Sequence, residues 1–221
     1  MQLIAAFLAV ISFAFLARGA PAPKAHAPIY VDLQEKATHT LAEDSASGMA
    51  ENNLAEVPTG EKEFGGIKFK IGKGYVQLGS PHFKTERPEK VEGIKVDAIV
   101  TRLHILHATC YGTGTEVKHV ADDTVIAEYR VHYAGGDTHT IEVVYGKDVR
   151  DYWFNDSSPG VKRGKVAWEG DNEAAKKLNS RLRLYLTTWE NPKPGKRVVG
   201  IDFVRSKDTP TAPFCVAMTI E

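Results

Sequence analysis

The chain has 221 residues, 43% of them hydrophobic, which suffices for a sizeable core in one large all-β domain or two small ones and excludes disorder as the default. Its 28 Lys and Arg residues balance its 28 Asp and Glu residues. A neutral chain with no basic block offers no electrostatic reason to bind nucleic acid or an anionic membrane surface.

The first element is a run from Leu3 to Leu16, apolar except for Ser12 and followed by Ala17-Arg18-Gly19. Small residues at 17 and 19 predict a signal peptide over 1–19, cleaved after Gly19. The run is shorter than the roughly 20 residues that span a bilayer, and no second stretch of spanning length follows. The mature chain is therefore expected to be secreted, extracellular or periplasmic, without membrane insertion. Residues 20–28, rich in Ala and Pro, read as an extended linker. A single domain over 29–221 follows. Within it, 38–53 is polar, and two readings stand: a long surface loop or a disordered segment.

Strand signals are dense from Glu63 onward. Phe64–Ile71 alternates after a Gly pair, and Tyr75–Leu78 is a second short strand. Ile94–Cys110 is apolar on both faces, as central strands of a sandwich are, and is long enough for two strands or one with a bulge. Val125–Tyr133 and Thr138–Tyr145 form a hairpin about Ala134-Gly135-Gly136-Asp137, whose glycines supply positive φ. Tyr129, Val131 and Tyr133 share one face; Glu128, Arg130 and His132 share the other. Tyr152-Trp153-Phe154 opens a long connection to Val166-Ala167-Trp168, and Asn172–Lys177 is the one stretch fit for a helical turn or two. Leu182–Trp189, Val198–Val204 and Phe214–Ile220 close the chain as three strands. The predicted fold is all-β: an antiparallel two-sheet β-sandwich.

Several of these stretches resemble galactose-binding-like jelly-roll domains of secreted and cell-surface proteins. The resemblance rests on Leu54–Phe69, Leu103–Thr109, Tyr145–Trp153, Thr188–Pro192 with Ile201–Val204, and Tyr30–Leu33 as a first strand. It implies a non-catalytic module, often sugar-binding, and carries no defined set of binding residues onto these positions.

For function, exposed aromatics matter because a flat ring stacks on the apolar face of a pyranose. Tyr152 and Trp153, with Trp168, Asp148 and Asp151 nearby, make the expected ligand site, set in a Gly/Pro-rich connection; burial in the core is the competing reading for each Trp. Trp189 and Tyr185 are further platforms. Asp148, Asp151 and Asp156 offer oxygen ligands suited to structural calcium, although their spacing fits no EF-hand and solvated turn residues present the same pattern. No other cofactor is implied. His104 and His107, three apart on a strand, point to opposite faces and cannot chelate one ion. His132 and His139 flank the hairpin turn and are expected to face each other.

Cys110 and Cys215 are either a disulfide, which an oxidising compartment permits, or two buried thiols. Asn155-Asp156-Ser157 is a glycosylation sequon that marks an exposed loop. No nucleophile elbow, zinc helix, P-loop or dinucleotide fingerprint occurs. The leading expectation is a non-enzymatic, carbohydrate-binding module; the alternative is a protein-interaction or structural module of the cell envelope or matrix. A third is a glycoside hydrolase drawing paired carboxylates from Glu128, Glu142, Glu169 and Glu190.

Overall fold

A computed structural model describes residues 27–114 and 118–221; the expected signal peptide and all but the end of the linker lie outside the described residues. The elements in chain order are β1 (Ile29–Val31), β2 (His39–Thr40), β3 (Gly60–Phe64), β4 (Ile67–Ile71), β5 (Gly74–Gln77), β6 (Lys90–Ile99), β7 (Arg102–Ala108), β8 (Val125–Tyr133), β9 (Thr138–Val144), β10 (Trp153–Phe154), β11 (Lys165–Gly170), α1 (Glu173–Lys177), β12 (Arg181–Glu190), β13 (Arg197–Arg205) and β14 (Phe214–Ile220). All strand ladders are antiparallel, so the all-β antiparallel fold read from the sequence stands.

Eight strands form one sheet in the order β10-β12-β7-β14-β5-β2, with β1 beside β14 and β11 beside β12. A four-stranded sheet, β6-β13-β8-β9, packs face to face with it. Ring contacts from His107 on β7 to Tyr129 on β8, and from Trp189 on β12 to His139 on β9, bridge the two layers. The β3–β4 hairpin covers the outer face of the larger sheet: Phe64 and Phe69 are buried there, and Thr219 Oγ1 donates to the Lys68 carbonyl at 2.8 Å. That cover explains why β7 and β14 are buried on both faces and read as unbroken apolar runs.

Ile94–Cys110 is two strands in different sheets. β6 ends at Ile99, the chain turns at Val100–Thr101, and β7 begins in the opposite layer. The Gly65–Gly66 pair, both at positive φ, is the turn of the β3–β4 hairpin. Gly135 and Gly136 serve β8–β9 in the same way, at φ of 95° and 91°. The helical turn at α1 is capped by Asn172, whose Oδ1 accepts from the Ala175 amide at 2.7 Å. Segment 38–53 is a packed loop: His39 and Thr40 pair with β5, and Leu41, Ala46 and Asn52 are buried.

The thiols are free and unbridged. Cys215 faces the four-stranded sheet, whereas Cys110 sits with Tyr75, Tyr152 and Phe214 on the other side of β14. Burial pushes the Cys215 thiol up to about 12 and the Cys110 thiol well above its ordinary value, so both are inert.

Candidate functional site

The aromatic pair singled out in the sequence is consumed in structure. Asn52 Oδ1 accepts from the Tyr152 hydroxyl at 2.6 Å, from Trp153 Nε1 at 3.1 Å and from Asn172 Nδ2 at 3.1 Å. Tyr152 is buried, and Trp153 is half-buried on the outer face of the large sheet. Trp168 lies half-buried on that same face, its ring so close over Gly170 that a Cβ there would come within 2.3 Å. Tyr152, Trp153, Asn172 and the 38–53 loop form one closed clasp around Asn52.

The aspartates diverge. Asp148 is buried; its carboxylate accepts two hydrogen bonds from Arg163, both 2.6 Å, and one from the Val144 amide at 2.8 Å. Asp151, also buried, accepts from the Gly112 amide, the Thr113 hydroxyl and the Tyr145 hydroxyl at 2.8–2.9 Å. Burial raises its pKa against the pull of those three donors. Asp156 is fully exposed, 3.4 Å from Arg181. The three aspartates do not converge into a calcium cluster, and among the described residues no group of three His, Cys, Asp or Glu could hold a metal. Asn155 is exposed in its turn, as the sequon reading requires, with its Oδ1 accepting from Ser157 and Ser158.

An open site lies instead between the two sheets, a cleft of about 360 Å³. The pairings Trp189 to Leu103, Thr187 to Ile105 and Tyr185 to His107 set these side chains on the face turned toward the smaller sheet. His107, Ile105 and Tyr129 floor the cleft; Thr187 and Trp189 make one wall, and His139, Ile141 and Val143 the other. The Asp148–Arg163 pair closes one end, while Glu142 and Glu190 stand on the rims. The cleft exists because both sheets run out of strands at the same place. Among the described residues β9 is the last strand of its sheet, and β10 and β11 flank β12 only as far as Leu186, leaving Thr187–Glu190 without a neighbour on that side.

His107 is the buried polar centre of the floor. Its Nδ1 shares a hydrogen bond with the Tyr129 hydroxyl at 3.2 Å and its Nε2 another with Thr187 Oγ1 at 3.0 Å. Burial pushes its pKa down to about 4, so the ring is neutral above that pH and serves as a hydrogen-bonding group. His104 points to the opposite face, as its spacing predicted, and bonds Thr188 at 2.8 Å. His132 and His139, in contrast, do not face each other. His132 pairs with Thr138 and bonds Asp202 at 2.7 Å on the outer face, while His139 pairs with Val131 and lies against Trp189, ring centroids 5.3 Å apart and planes tilted by 34°. A register in which Val131 opposes His139 necessarily puts the two histidines on opposite faces.

Of the four glutamates, only Glu142 and Glu190 share the cleft; Glu128 is bonded to Arg130 and Glu169 to Arg181. The sequence presents Trp189, His107 and Glu142 singly but cannot assemble them, because they stand on three strands far apart in the chain. One signal was available: after Leu184-Tyr185-Leu186 the second half of β12, Thr187-Thr188-Trp189-Glu190, turns polar around a single Trp. No family profile, curated protein or solved structure matches this chain.

Proposed function

We propose that the chain is a secreted jelly-roll sandwich of the galactose-binding-like kind and acts as a non-catalytic module that takes a sugar in the cleft between its sheets. The observation that carries the reading is the cleft itself: a half-exposed Trp189 beside a floor of hydrogen-bonding groups. About 360 Å³ falls at the lower end of small-ligand sites, room for one or two sugar rings. Trp189 supplies the stacking platform, Thr187, held by His107, meets a sugar hydroxyl, and Arg163 and Glu142 fix orientation at the end and rim. The walls are strands held by their own ladders, so the site is preorganised.

A glycan array with the purified protein tests this. The expected result is retention of a defined glycan, at least about tenfold weaker in Trp189→Ala and unchanged in Val199→Ala, an exposed residue of β13 outside the cleft. Absence of any retained glycan, or retention indifferent to Trp189→Ala, removes the sugar claim. The protein-interaction reading is favoured by a separate feature, the free edge of β9.

A further inference from the structure

The two edges of the four-stranded sheet are built differently. On β6, Lys90, Glu92, Lys95 and Asp97 alternate through the strand, Gly93 and Asp97 take positive φ of 68° and 52°, and the ladder to β13 is broken by two register shifts. Charge, bulges and a twisted backbone are the devices by which an edge is kept from pairing with another chain. β9 is barely protected across Thr138-His139-Thr140-Ile141-Glu142: no Lys, no Pro, no positive φ, Glu142 as its one carboxylate, and β-branched residues at three of five positions. Its register with β8 is unbroken from Ala127–Val143 to His132–Thr138, and among the described residues no main-chain group bonds its far side.

Three further observations say what the edge would take. Val166 on β11 pairs with Tyr185, so it faces the gap beside β9, and it is 39% exposed where a covered inner face would bury it. Ile141 is half-buried at the cleft lip. Glu142 stands opposite Glu128, a like-charge pair, and Arg130 neutralises only Glu128. Arg163 spends its Nε and Nη2 on Asp148, and among the described residues no cation forms an ion pair with Glu142.

We propose that β9 is a docking edge for an extended polypeptide segment, which adds as a fifth strand with alternate apolar side chains over Val166 and Ile141 and a basic side chain against Glu142. The segment gains main-chain hydrogen bonds from the edge and specificity from the alternating side chains. This goes beyond the sugar reading and uses the strand's main chain, so either can fail alone.

Phage-displayed random decapeptides selected on the purified protein provide the test. Enriched peptides are expected to alternate apolar residues with a Lys or Arg in fixed register. Synthetic copies should slow amide exchange in Thr138–Val143 and bind about three- to tenfold more weakly to Glu142→Lys, where attraction is replaced by repulsion. Thr140→Lys should weaken them similarly, and Glu92→Lys on the opposite edge should not; unchanged melting temperatures show that each variant is folded. No enrichment, equal binding to Glu142→Lys, or protection elsewhere than β9 overturns the proposal. So does self-association through β9, which would give the edge to a second copy of the chain.

Discussion

The clasp around Asn52 and the cleft around His107 are made from the same materials, aromatic rings and buried hydrogen-bonding groups, yet only one is open. In the clasp one amide oxygen gathers Tyr152, Trp153 and Asn172, and a packed loop covers them. In the cleft the buried ring of His107 is equally satisfied, but Trp189 and the rims face solvent because, among the described residues, no strand flanks β9 or the end of β12. Aromatic residues beside Asp and Gly do not mark a binding site by themselves. The neighbouring strand, present or absent, decides between structure and site.

The largest expected effect lies in the clasp. Asn52→Ala strips the buried Tyr152 hydroxyl and the Trp153 Nε1 of their acceptor, while Asn172 Nδ2 keeps the Asn53 carbonyl, and should cost about 2–4 kcal/mol in urea unfolding with no loss of any cleft ligand. If Asn52→Ala abolishes ligand binding while the fold persists, the division between the two regions is wrong.

Next comes the pH response of the cleft floor. His107 is held near pKa 4 when folded, against 6.5 for the ordinary group, so between those values the unfolded chain takes up a proton that the folded chain refuses. Stability should therefore fall as pH drops from about 6.5 toward 4, by about 3 kcal/mol for this group. His39 and His104, also lowered by burial, act in the same direction. Urea midpoints of wild type and His107→Gln at pH 7 and 4.5 check this; the variant should show the shallower slope.

Trp189→Ala should cost only about 1–2 kcal/mol, less than Asn52→Ala, because the ring is half-exposed. Parity of the two would mean that Trp189 is a core residue. The smallest effect is expected at Tyr185→Phe. The Tyr185 hydroxyl is buried without a partner, so its removal should leave stability within about 0.5 kcal/mol or raise it. A reductant should likewise leave the melting temperature unchanged, since no disulfide joins Cys110 to Cys215.

Much of this was legible in the linear pattern. Period-two burial located β8, β12, β13 and β14 within a residue or so, the Gly135–Gly136 pair fixed the hairpin, and the short helix falls within Asn172–Lys177. Local rules suffice there because each acts over a few residues. The split of Ile94–Cys110 between sheets was less legible, since a corner at Val100–Thr101 leaves no Gly or Pro to mark it. Histidine placement went both ways. The opposite faces of His104 and His107 follow from strand geometry alone, whereas those of His132 and His139 required the register of β8 on β9.

By itself the sequence determined the antiparallel all-β class and the turns, because alternation and glycine chemistry are local properties of the chain. Only the tertiary structure decided which aromatics are spent and which are free, because that depends on strand order. Asn52 reaches Tyr152 across 100 residues, and His107 meets Thr187 across 80. No local pattern encodes which sheet edge is left without a neighbour.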